Sequence, residues 1–146
     1  IAVELLDFGS LSHLIAGLKT ADKTALARRY SLLRPELLES WVRTLNFVRN
    51  VSAHHARLWN KPLIDYPKLP KAGEISEFDH LISDKHAVGR FYCAACIMRH
   101  FLRVVNPTTA WPLRLVDLLA TFPDTPHLTL RAAGFPPGWQ AQPLWA

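Results

Sequence analysis

The sequence predicts a single all-α domain, and three observations carry that expectation. Apolar residues recur at helical spacing, prolines fall at the joints between the periodic stretches, and no stretch alternates apolar and polar residues as a half-buried strand would. With 146 residues, 49% of them hydrophobic, the chain is long enough to bury one core. Residues 1–146 are therefore read as one domain.

Ser10 is placed as the N-cap of a first helix that carries Leu11, Leu14, Ile15 and Leu18 on one side, with His13 at the surface. Asp22 is placed as the cap of a second, short helix through Ala25, Leu26 and Tyr30. Its Lys23, Arg28 and Arg29 read as a solvated basic face in preference to a phosphate patch. A third helix starts at Pro35, which fits a first helical turn, and Glu36 and Glu39 complement the positive end of its dipole. Its apolar stripe is Leu37, Trp41, Leu45, Val48, His55 and Trp59, and its polar face is Glu39, Arg43, Asn46, Asn50, His54 and Arg57. The helix is expected to continue until Asn60, because Lys61-Pro62 disfavours more. On that reading His55 points into the apolar seam and His54 into a polar groove.

Pro62, Pro67 and Pro70 mark an irregular crossing with Tyr66, Lys61, Lys68 and Lys71. Two readings stay open for it: a cover that touches single-stranded RNA, or a plain connection between antiparallel helices. Ser83 or Asp84 then begins a long helix striped by Ala87, Phe91, Ala95, Met98, Leu102 and Val105. Arg90, Arg99 and Arg103 on it reach phosphate, solvent or acidic neighbours. Pro107 ends it. Thr109 and Pro112 begin another helix with Leu115, Leu118, Leu119 and Phe122 as its packing face. The tail around Phe135-Pro136-Pro137-Gly138-Trp139, with Trp145, reads as a strap anchored by aromatics.

The charge of +5 and pI of about 9.6 favour an anionic partner such as RNA. No apolar run has membrane-spanning length and no signal peptide opens the chain, so a cytoplasmic location with no membrane partner is expected. Cys93 and Cys96 stand one helical turn apart and read as reduced, buried thiols. A zinc site adding His100 is the disfavoured alternative, and no metal or cofactor is expected. The chain starts at Ile1 and its one methionine is Met98, which suggests part of a longer protein.

The stretch Arg49-Asn50-Val51-Ser52-Ala53-His54-His55-Ala56-Arg57-Leu58-Trp59-Asn60 places titratable groups on a segment otherwise built for burial. An imidazole can take up or return a proton near neutrality, and a guanidinium can hold two phosphate oxygens. In RNA the ribose 2′-hydroxyl is a built-in nucleophile, so a base, an acid and a cation suffice for cleavage. The plainer reading is a solvated helix face with Arg49 paired to a carboxylate. On a straight helix Arg49 and His54 lie roughly 7.5 Å apart along the axis and about 140° apart around it, so a bend or a second copy is needed for a compact site.

This run resembles the signature of the Abi-like (abortive infection) bacterial proteins, whose domain belongs to the HEPN superfamily of helical ribonucleases and nucleic-acid-binding proteins. FGSLSHLIAGL, SWVRTLNFVRN and GFPPGWQAQPLW are similar to the same family. The resemblance implies a HEPN-type helical bundle that pairs as a homodimer, here its C-terminal portion. It implies a metal-independent endoribonuclease of phage defence or a toxin–antitoxin system. Arg49 and His54 would be the catalytic pair, with Asn50, His55 and Arg57 auxiliary or RNA-binding. Its partners would be RNA and a cognate antitoxin of RNA or protein. The alternatives are a module that binds RNA or protein without cutting, and a structural subunit.

Overall fold

The computed structural model describes residues 7–123 and 125–146. Among the described residues there are seven α-helices and no strand, with one isolated bridge between Thr125 and Leu128. They are α1 (Phe8–Gly17), α2 (Thr20–Arg29), α3 (Pro35–Ala53), α4 (Asp79–Ile82), α5 (Lys85–Val88), α6 (Phe91–Val105) and α7 (Trp111–Ala120). The fold class is all-α, as the periodicity predicts.

α3 is the centre of the fold and packs against α1, α2 and α6. Pro35 opens it and Glu36 sits in its first turn. It buries Leu37, Leu38, Trp41, Val42, Leu45, Val48 and Val51. Trp41 has no exposed surface: its ring stacks on Phe78 at 4.8 Å and meets the edges of His100 at 5.2 Å and Phe101 at 5.8 Å. Truncating such a side chain typically costs about 3–5 kcal/mol, so this one residue holds a large part of a domain's net stability. The indole N–H also needs a partner when buried. It donates to the Lys68 carbonyl at 2.8 Å, while the Lys68 N–H donates to Ser40 Oγ at 2.9 Å. The proline-marked crossing is thereby tied along α3.

Two bounds differ from expectation at the start of the chain. Asp7, not Ser10, caps α1, accepting the Ser10 N–H at 2.6 Å. α2 begins at Thr20, which puts Asp22 inside its first turn and not at its cap. A carboxylate serves either position, and spacing alone does not separate them.

The expected long helix is broken in two. Asp84 does cap its start, accepting from the Ala87 N–H at 3.0 Å, but α5 stops at Val88 and Arg90 is extended before α6 restarts. The break is tertiary in origin. The Gly89 carbonyl accepts from the Leu63 N–H at 2.9 Å, and the Tyr66 ring lies where a Cβ on Gly89 would be, 2.5 Å from its Cζ. Glycine is also the poorest helix former after proline. α6 consequently buries Tyr92, Cys93, Cys96, Ile97, His100 and Phe101, whereas Val105 is exposed.

On α7, Leu115 is buried and Leu119 partly so, but Leu118 is 65% exposed, against its expected place in the packing face. Pro112 and Val116 take that role instead. The tail is anchored as its aromatics suggest: Phe135, Trp139 and Leu144 are buried. The α6 arginines serve the bundle. Arg103 pairs with Glu77, and Arg99 donates to the Leu144 carbonyl at 3.4 Å. No helix of the described residues is long and apolar enough to cross a membrane.

Candidate functional site

The end of α3 shapes the site, and it comes earlier than the sequence pattern suggests. α3 stops at Ala53, with His54 as its C-cap and His55 in the left-handed region at φ 53°. Two hydrogen bonds close the turn: Ala56 N–H to the Val51 carbonyl at 3.0 Å, and His55 N–H to the Ser52 carbonyl at 3.1 Å. This is the Schellman arrangement, in which a left-handed residue just past the cap lets the chain reverse and satisfies carbonyls at the helix end. Glycine usually fills that place; here it is His55.

His55 therefore does not enter the apolar seam. It is exposed, as are Ser52, Ala53, His54, Ala56 and Arg57. Trp59 is partly buried, but from the segment beyond the helix and by its own anchor. Its indole N–H donates to the Thr129 carbonyl at 3.0 Å and its ring stacks on Phe122 at 6.4 Å.

Arg49 is exposed, and its Nη1 donates to Asn50 Oδ1 at 2.9 Å. Among the described residues it makes no ion pair with a carboxylate, unlike Arg34, Arg43, Arg103 and Arg131. Its charge is felt at the start of α1. The Asp7 carboxyl lies below its ordinary value chiefly through the Ser10 backbone N–H, and the Arg49 guanidinium adds to that. Since helical geometry persists through Ala53, the Cα of His54 is carried about 140° round the axis from that of Arg49. The two side chains leave α3 on different sides.

The rest of the expected polar face is spent inside the molecule. Glu39 accepts from Lys23 at 2.9 Å and pairs with Arg43 at 3.5 Å. Its carboxyl is held below the usual range mainly by the Lys23 hydrogen bond. Asn46 lies against Gly9 of α1, and its Oδ1 has no hydrogen bond.

A cleft of about 230 Å³ opens on the flank of α3, between Arg43, Phe47 and Asn50 on the helix and Ile64 and Asp65 on the crossing. Leu63 creates it: buried between Val48 and Ala94, it pins the crossing and turns Ile64 and Asp65 outward. Sequence reasoning did not find this cleft. The only signal was the run Pro62-Leu63-Ile64-Asp65, one buried residue between a proline and two outward-facing ones.

Cys93, Cys96 and His100 do not form a metal centre. Both thiols are free and buried; burial raises Cys93 well above its ordinary value and Cys96 to about 12. His100 Nε2 bonds the Tyr30 carbonyl at 2.7 Å, which makes it the N–H donor, and burial lowers its pKa. Among the described residues, no three His, Cys, Asp or Glu side chains gather to hold a metal.

The model of the Abi-like protein family matches residues 1–60. That segment runs to the end of the turn after α3 and contains Arg49, Asn50, His54, His55 and Arg57. No curated protein and no solved structure matches the chain.

Proposed function

We propose that the chain, whose residues 1–60 match the Abi-like protein family model, is a metal-independent endoribonuclease of abortive infection or of a toxin–antitoxin system. The observation that carries the proposal is the end of α3. His54 stands exposed where the helix closes, five residues after an exposed arginine that makes no ion pair with a carboxylate among the described residues.

In this reading His54 takes the proton from a ribose 2′-hydroxyl. The freed oxygen attacks the adjacent phosphorus, the bond to the 5′ oxygen breaks, and that oxygen receives a proton from an imidazolium or water. The products are a 2′,3′-cyclic phosphate and a 5′-hydroxyl. Arg49 holds the two non-bridging oxygens as their charge grows. Asn50 steadies Arg49 through the Oδ1 bond, and Arg57 contacts a neighbouring phosphate. Because Arg49 and His54 diverge around α3, the compact site is formed by two copies facing each other, as the HEPN resemblance implies. A cognate antitoxin, RNA or protein, would act by covering this end of α3.

The test is incubation of the native chain with labelled single-stranded RNA in EDTA, beside His54→Ala and Arg49→Ala, with the product ends identified. Expected is cleavage by the native protein alone, leaving cyclic phosphate ends, with both variants folded as judged by circular dichroism. Equal cleavage by all three proteins would sink the assignment. Salt-sensitive binding without product, unchanged in His54→Ala, would instead make the chain a binding module.

A further inference from the structure

We propose that the cleft between α3 and the Ile64–Asp65 segment receives one base of single-stranded RNA, and that it favours bases with an exocyclic amine over uracil. The proposal rests on the RNA reading above and goes beyond it by naming what the site selects.

Size comes first. At about 230 Å³ the cleft lies below the ~300 Å³ at which pockets begin to take drug-sized ligands, so it suits one flat ring. Its walls are apolar where a ring would rest: Phe47 is partly buried, and Ile64 is 78% exposed with nothing over it. A base stacking on an aromatic face is the usual way single strands are held.

The rim supplies the selection. Asp65, its side chain 70% exposed, has only a loose partner in Arg43 at 4.0 Å and can only accept hydrogen bonds when ionised. Asn46 also lines the cleft, but its Oδ1 is buried on the side of Gly9 of α1 and takes no part in the rim. The Oδ1 of Asn50 is already used by Arg49, so its amide N–H groups remain to donate. An edge with an amine beside a ring acceptor satisfies this set. Uracil has no exocyclic amine: its one edge donor, N3–H, sits between two carbonyl oxygens that the carboxylate repels, whereas the amine of adenine or cytosine projects clear of the ring.

Asn50 also ties the cleft to the candidate site. It lines the cleft and holds the Arg49 guanidinium, so a base seated there belongs to a nucleotide beside the phosphate that Arg49 would grip.

The experiment measures binding of the native chain to labelled oligoadenylate, oligocytidylate and oligouridylate by fluorescence anisotropy. The strands carry 2′-O-methyl riboses, so none can be cut. Expected is a preference of about five-fold or more for the adenine and cytosine strands, the size of one good base contact. Asp65→Ala and Ile64→Ser change exposed positions and should bring the ratio close to one. Removing Asp65 also strengthens binding of all three strands through charge, which is why the ratio is the readout. Equal native binding, or a ratio that survives both substitutions, overturns the proposal. A native chain that binds no RNA overturns it together with the RNA reading. A base preference without cleavage of unmodified RNA overturns the nuclease reading alone and upholds the cleft.

Discussion

Replacing His55 with glycine distinguishes a closed helix end at Ala53 from a helix that continues to Asn60, because the two arrangements give effects of opposite sign. His55 holds φ at 53°, where a side chain costs roughly 1–2 kcal/mol. Glycine relieves that strain but adds about 0.5–1 kcal/mol of unfolded-state entropy. The net expectation is a gain of about 0.5–1 kcal/mol, or roughly 1–4 °C in Tm for a chain near this size. Were the helix continuous, glycine in its interior would cost about 1 kcal/mol, and a seam-facing imidazole would be lost as well. Urea denaturation followed by circular dichroism reads the difference as a shift in midpoint at constant slope. A loss of about 0.5 kcal/mol or more would refute the Schellman closure. On the ribonuclease reading proposed above, the same variant keeps His54 and should retain cleavage, which separates His55 from His54.

Three further outcomes follow from the packing. Gly134→Ala should destabilise by about 2–5 kcal/mol in the same assay, from positive-φ strain and overlap together; its φ is 92° and the new Cβ would lie 2.6 Å from Arg90 Cβ. A loss under about 1 kcal/mol would mean that the tail does not press on α5 and α6. Burial lowers the pKa of both His80 and His100, so the unfolded chain binds protons first as pH falls below the ordinary 6.5, and stability declines from there. His100→Gln keeps a donor for the Tyr30 carbonyl but cannot titrate, so its urea midpoint should fall less between neutrality and about pH 5; an unchanged decline would remove His100 from the account. Cys93 and Cys96 should resist a thiol reagent in the native chain at neutral pH and both react in urea. Rapid native labelling of either would contradict the burial of α6.

What the sequence made legible was the part governed by local rules. Pro35 opens α3 as proline should, the stripe from Leu37 to Val48 is buried, and the tail aromatics are anchors. The motif's local setting was misread because its stop signal is unconventional. A glycine at position 55 would have announced the end of α3; a histidine in the left-handed region does not, and the next proline comes only at Pro62. Gly89 was visible, yet a lone glycine is tolerated within helices. Its consequence depended on Tyr66 and Leu63, which are distant in sequence. Leu118 shows the same limit: periodicity gives a helix its faces, but the neighbours decide which face is covered.

The family match ends near Asn60, but the packing does not. Trp41 stacks on Phe78 and meets His100 and Phe101, and Trp59 is fastened to Thr129 and Phe122. Every one of these partners lies beyond the matched segment. Residues 1–60 are thus one half of a core whose other half is written in sequence that the family match does not cover. A fragment cut at Asn60 would leave Trp41 without its stacking partners, so the motif cannot be transplanted or expressed as three helices alone. Related chains that diverge after this point must still supply a flat aromatic surface for Trp41 and an acceptor for its N–H. Compensating pairs between position 41 and positions 78, 100 and 101 are therefore where the two halves of the chain constrain each other's evolution.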